Sequence, residues 1–439
     1  TRSAVAHLLR RAGFGGHPDE VDALAEFGYE GAVDRVCQLD KPDPAADAIP
    51  PPTLESAAFA DARDGDREAK RLASQRLRRD SRAIIMWWLK RMVAAEQPLR
   101  EKLTFLWHDH FATSLIKVKR PALMLQQRQV LYDLGPGRFD VLLGALLRDP
   151  AMLIWLDGVK STAEAPNENL GRELLELFTL GHTGGGAHQH ISAPYAEADV
   201  QGLARALTGW VIDRQTGTSR HVPRRHDAGT KTVLGTTGPL GIDEVVAVVT
   251  QHPACAPHVV ARLWSRLARP AGPDDPVVQE LAKAFARDLD VTALVRAMFL
   301  HPEFLAPTTR SALVKMPVEL VVGMARALRF DPEELTPDVL DRLGQVPFMP
   351  PDVSGWPAGP AWLSTSSALL RLQIADRLAT LVGSTPIASA PPAARPAEAA
   401  RLLGIDRWTD ATADALAAAA SEPQRLLTIA LASPEALLA

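Results

Sequence analysis

Apolar residues recur along this chain with the 3.6-residue period of helices that bury one face. Segments 2–12, 18–38, 54–78, 80–96, 98–112, 121–134, 137–148, 166–180, 196–211, 242–251, 256–268, 275–287, 291–300, 311–328 and 361–382 carry such stripes, and their alanine, leucine and arginine also favour helix. Alternating patterns are scarce. The stretch from His221 to Gly241, with Thr230-Lys-Thr-Val-Leu-Gly-Thr-Thr-Gly, suits a short hairpin within an irregular lobe over 212–241. Breakers gather at 41–52, 181–194, 218–241 and 347–360. The predicted fold is therefore mainly α. A large multi-helix body spans 1–382, a Pro/Ala-rich linker spans 383–396, and short helices over 397–439 pack back on the body. No repeat with a period of about 20–50 residues points to a solenoid.

The polar positions are most telling from Pro166 to Gly181, which reads as one helix with Pro in its first turn and Gly at its stop. Leu170, Leu174, Leu177 and Phe178 form its apolar stripe, whereas Asn169, Arg172, Glu173 and Glu176 share another face. Two carboxylates, an amide and a guanidinium suit acid/base work or a metal; they also suit a solvated face laced with ion pairs. Trp107-His-Asp-His-Phe111 ends another striped segment. If the helix persists, His108 and His110 lie about 200° apart and cannot share a metal; if it stops near Trp107, they converge. Asp109 either faces outward or orients a ring. His182, His188 and His190 lie in a Gly-rich stretch that reads as a surface loop and lacks a phosphate-loop signature.

Further polar groups follow. Glu197, Gln201, Arg205 and Thr208 share one face of the 196–211 helix, with Glu197 and Asp199 near its positive end. His226, Asp227 and Lys231 lie within six residues, as a catalytic loop or as a turn beside a solvated lysine. Trp356 and Trp362 in the Pro/Gly-rich 348–362 loop either wall a pocket or cap the core.

Composition narrows the function less than the motifs do. A net charge of -4 gives no reason to expect nucleic acid, and the basic residues of 63–82 alternate with acidic ones. Two cysteines, Cys37 and Cys255, exclude a disulfide framework and an all-cysteine zinc site, and leave one bridge open. No apolar run reaches the roughly 18–20 residues of a membrane span. Thr1 leads straight into a helical pattern without a secretory leader, as in a processed or trimmed chain.

In order, Ala6-His-Leu-Leu-Arg-Arg-Ala-Gly-Phe-Gly15, Trp107-His-Asp-His-Phe111, Asp149-Pro-Ala-Met152, Asn167-Glu-Asn169 through Gly181, Tyr195 through Trp210, His226-Asp227 with Lys231 and the Pro/Gly/Trp loop resemble the bacterial family called domain of unknown function 1800. The likeness runs from about Ala4 to Glu435. It implies no particular reaction. It does imply export, genes beside those of a sulfatase-like family that would supply a partner, and action on glycans or other polymers outside the cytoplasm. Asp109 stands where members usually have Asn, Gly171 where Ala is usual, and Ala196 where a capping Thr is usual. The His-rich 182–190 stretch is particular to this chain.

Together these readings lead to a metal-dependent hydrolase acting on an extracytoplasmic polymer or glycan. His108, His110, Glu173 and His226 would bind a divalent transition metal (Zn, Mn or Fe), Glu176 would be general base, and Arg172 and Lys231 would stabilise negative charge, with Arg205 and Asp227 beside them. Three alternatives stay open. One is a metal-free polysaccharide enzyme pairing Glu173 or Glu176 with Asp199 or Glu197 over a Trp356 platform. The others are a haem or non-haem iron redox enzyme and a non-catalytic helical scaffold.

Overall fold

The computed structural model describes residues 1–54, 67–181, 194–383 and 385–438, with the side chains of 335–337, 385 and 386 left aside. The chain is mainly α, as its periodicity predicts. The helices that organise it are α1 (Arg2–Ala12), α2 (Arg67–Ala94), α3 (Pro98–His110), α4 (Pro121–Leu134), α5 (Asn169–Glu173), α6 (Glu197–Ala206), α7 (Cys255–Leu267), α8 (Pro317–Leu328) and α9 (Thr365–Val382). Proline stands at the first turn of α3, α4 and α8, where its fixed φ helps and its missing N–H costs nothing.

Two apolar cores divide the molecule. The first gathers α1, α5, α6, α7 and the helices up to Phe304; the second gathers α2, α8, α9 and the C-terminal helices. Helix α3 runs between them, giving Leu99, Leu103, Leu106 and Trp107 to the first and Phe105 to the second. Leu99 and Leu103 are fully buried, each stabilising by about 1.5–3 kcal/mol. A helix lodged between two cores has no solvent face, so its polar residues must find partners inside the protein.

Several boundaries differ from those predicted. The 18–38 stripe divides into Pro18–Ala25 and Gly28–Val36. The described parts of 54–78 and 80–96 form one continuous helix, α2, while 55–66 lie outside the described residues. The 311–328 helix starts only at Pro317. The 196–211 stripe stops at Ala206 and gives way to strand β1 (Trp210–Ile212), antiparallel to β2 (Ser219–His221). β3 (Lys231–Val233) and β4 (Thr236–Gly238) make a second hairpin, so the irregular lobe holds two ribbons. Within 383–396, Ile387 is buried in the second core and Arg395 donates to the carbonyls of Ala390 and Ala420. Cys37 and Cys255 are both free thiols, pushed up to about 12 by burial. Among the described residues no helix is long and apolar enough to cross a membrane.

Candidate functional site

The Pro166–Gly181 segment is not one α-helix. After α5 it widens into a π-helix over Leu174–Thr179. The Thr179 hydroxyl donates to the Leu174 carbonyl at 2.5 Å, and the Leu180 and Gly181 amides both reach the Leu175 carbonyl. Two imidazoles take the neighbouring carbonyls. His110 Nε2 lies 3.1 Å from the Phe178 oxygen, and His258 Nε2 lies 2.9 Å from that of Leu177. A carbonyl only accepts, so both Nε2 atoms carry a proton. Gly181 closes the turn at φ +83°, and a Cβ there would lie 2.5 Å from His258 Nδ1. π-turns recur at functional sites because they re-aim the side chains on them.

On the outer side of this turn, Arg172 collects carboxylates. It bonds Glu197 at 2.6 and 3.1 Å and Glu168 at 3.1 Å, with Glu176 at 3.9 Å. These ion pairs raise its pKa further. The Tyr195 phenol is hydrogen-bonded to Glu176; its pKa rises to about 12, first through burial and then through Glu176. Arg172, Glu173 and Glu176 are half-buried and Glu197 is exposed, which makes an open rim. Asp199 does not join it: its carboxylate caps Ala196 N and accepts from Leu234 N, tying α6 to the lobe.

A second cluster forms where the lobe meets α6. Arg205 holds Asp227 through two bonds of 2.6 and 3.3 Å, which depress the carboxyl pKa. His226 Nδ1 donates to the Thr208 carbonyl at 3.1 Å, and Thr208 Oγ1 accepts from Asp227 N. Buried Lys231 donates to the carbonyls of Asp227 and Leu240 at 2.5 and 2.9 Å, and burial lowers its pKa. The approach is close because α6 has Gly202 against the lobe, where a Cβ would collide with the Thr232 carbonyl. The structure brings Arg205, His226, Asp227 and Lys231 together, with Arg205 paired to Asp227 of the lobe and not to a carboxylate of the 166–181 segment. The role of Lys231 needs correction, since its ammonium is a strut between backbone carbonyls.

The expected metal ligands do not converge. Helix α3 persists to His110, so His108 and His110 point to opposite cores. His108 Nε2 accepts from Phe348 N at 3.0 Å, its ring packs on Trp88 and Trp356, and burial holds its pKa down at about 3. His110 is likewise held well below its usual value by burial, then by Arg262 and His258. Glu173 follows Arg172 on α5, whereas His226 belongs to the lobe cluster, its Nδ1 proton engaged by Thr208. Among the described residues no three His, Cys, Asp or Glu side chains form a metal-holding group. Trp356 is not a platform either: it is buried and stacks on Phe105 with centroids 5.6 Å apart. Trp362 is buried too, donating to the Pro357 carbonyl. His182, His188 and His190 lie outside the described residues.

Sequence reasoning missed the α7 face. His258, Arg262 and Arg266 follow i, i+4, i+8 on a helix otherwise striped with Val, Leu and Trp, a spacing that was readable. Arg266 and Arg262 reach Asp109 Oδ2 at 2.6 and 3.3 Å, and Asp109 Oδ1 accepts from Trp356 N at 2.7 Å. Asp109 is therefore buried and pins the Pro/Gly/Trp loop to α7.

A family model described as a protein of unknown function, DUF1800, matches residues 7–438. No curated protein and no solved structure matches the chain.

Proposed function

The chain belongs to the DUF1800 family of proteins of unknown function, and from that premise we propose that it is a hydrolase acting by carboxylate acid/base chemistry on a glycan-type polymer. The observation that carries this reading is the gathering of Glu176, Tyr195 and Glu197 around Arg172 beside a π-turn. Glu176 supplies the proton acceptor and the Tyr195 phenol, which keeps its proton, supplies the donor within one short stretch of rim. Arg172 holds Glu197 as a carboxylate and stabilises any developing negative charge. The protonated Tyr195 phenol orients Glu176. The rim's openness suits an extended chain better than an enclosed small molecule. Because the expected metal ligands diverge, no step is assigned to a metal. An extracytoplasmic substrate accords with the likeness noted in the sequence.

The test is reducing-end release from a panel of envelope polysaccharides by wild type and Glu176→Gln. Removing an acid/base group should cut turnover about 10²- to 10⁴-fold while leaving the thermal midpoint nearly unchanged. Equal release by both proteins, or none above a heat-inactivated control from wild type, overturns the reading. A second reading, a helical scaffold, is favoured by the complete pairing of Arg172 and Arg205 with carboxylates. It expects Glu176→Gln and Glu197→Gln to lower stability with no activity to lose.

A further inference from the structure

Positive charge accumulates where α1, α8, α9 and the C-terminal segment meet. Arg11 and Arg371 are 1% and 3% exposed. Arg11 spends one N–H on the Thr309 carbonyl at 2.7 Å, and Arg371 reaches the Lys315 carbonyl at 3.4 Å. The Nε and Nη1 atoms of both guanidiniums find no hydrogen-bond partner among the described residues. Lys315, which feels Arg10, Arg11 and Arg371, donates to the Ala436 carbonyl at 2.8 Å, and Arg10 donates to that of Gly404. The local carboxylates are already engaged: Glu319 by Lys102 and Asp406 by Arg310.

Among the described residues, buried Arg11 and Arg371 and half-buried Arg10 and Lys315 therefore share only Glu319 and Asp406, carboxylates already paired with Lys102 and Arg310, so cations are in excess. Carbonyls and water satisfy N–H groups but do not cancel net charge, and burying charge without a counterion is strongly unfavourable. Arg10 and Lys315 also line a cavity of about 30 Å³ walled by Gly15, Gly323, Met324 and Ala436. That volume admits a water-sized particle and excludes a nucleotide or a sugar phosphate.

We propose that this cavity is a binding site for one small inorganic anion of the halide class, held between Arg10 and Lys315. The anion supplies the missing negative charge and locks α1 to the C-terminal helices. The depressed cations accord with a missing counterion: burial, then neighbouring Arg10, holds Lys315 down at about 7, and burial and Arg10 hold Arg11 at about 9. The site is independent of the hydrolase reading.

Thermal unfolding tests it, with potassium chloride or bromide replacing potassium gluconate at constant ionic strength. Wild type should gain stability saturably, by about 3 °C at a hundredfold excess over half-saturation. Lys315→Met should not respond. No gain, or a non-saturating gain equal in both proteins, overturns the site. Bromide-soaked wild-type crystals give a readout that does not depend on the variant folding. An anomalous peak between Arg10 and Lys315 is expected, and its absence at saturating bromide also overturns the proposal.

Discussion

Acidification from pH 7 to pH 5 should destabilise this protein through imidazoles that its cores keep neutral. His108 is held at about 3 by burial, His7 at about 2 by burial together with Arg11, Arg10 and Arg310, and His110 well below its usual value. In the unfolded chain each titrates near 6.5, so between that value and the folded pKa the unfolded state binds more protons. Stability is then fully present above pH 6.5 and is lost as pH falls through the window from 6.5 towards 3. At pH 5 His108 and His7 have each lost about 2 kcal/mol, about 4 kcal/mol together, and His110 adds a loss of the same sign. Asp149 works in the opposite direction. Burial pushes its carboxyl up to about 7, so it contributes about 2 kcal/mol more at pH 5 than at pH 7. The balance of His108, His7 and Asp149 is a loss of about 2 kcal/mol, to which His110 adds, a sizeable part of the roughly 5–15 kcal/mol that holds a domain together. Urea unfolding followed by tryptophan fluorescence measures it. The share of His108 is isolated by His108→Gln, whose amide oxygen can accept from Phe348 N but cannot gain a proton. Its loss between pH 7 and 5 should be about 2 kcal/mol smaller than that of wild type. Identical pH dependence in the two proteins would refute the assignment.

Glu101 accepts from Arg91 Nε at 2.9 Å, Arg128 Nη2 at 2.5 Å and Trp88 Nε1 at 2.9 Å, so Glu101→Gln strands the buried Arg128 guanidinium and leaves Arg91 with Asp47 alone. The expected cost is about 3–5 kcal/mol, or a fall of about 3–5 °C in the thermal midpoint; calorimetry showing under about 1 °C would sink the claim. Gly202→Ala drives a methyl into the Thr232 carbonyl and should lift the 212–241 lobe off α6. The expected cost is about 1–3 kcal/mol with faster proteolysis inside the lobe, and unchanged cleavage kinetics would count against that packing.

The helical body was legible because a 3.6-residue stripe is a local property and each helix here buries one. The lobe cluster was legible only in its halves: Arg205 and Thr208 share a helix face, and His226, Asp227 and Lys231 are close in sequence, but the Arg205–Asp227 pair that joins them was expected with the 166–181 segment instead. The π-turn was not legible. Leu170, Leu174, Leu177 and Phe178 fit an α-helix equally well, and what singles out the wider turn is the arrival of His110 and His258 at the Leu177 and Phe178 carbonyls. The convergence expected of His108 and His110 turned on one local question, whether α3 ends at Trp107 or continues. It continues because Leu99, Leu103, Leu106, Trp107 and Phe105 fill two cores at once, a demand no window of sequence displays.

The fate of Trp107–Phe111 also changes what its chemistry-bearing residues are for. Trp107 Nε1 donates to Gly135, His108 accepts from Phe348, Asp109 ties Arg266 to Trp356, and His110 donates to Phe178. Four successive side chains fasten four different parts of the chain, which is the work of a hub inside the fold. Yet the last fastening lies under the rim, since the carbonyl that His110 holds belongs to the turn that carries Glu176. A His110 substitution should therefore disturb the position of Glu176 while touching no substrate. In that case Glu176→Gln lowers turnover at nearly constant stability, whereas His110→Phe lowers both, because it also leaves a buried carbonyl unpaired at about 1–3 kcal/mol. The two variants separate a group that acts from a group that holds it in place, which residue type alone does not do.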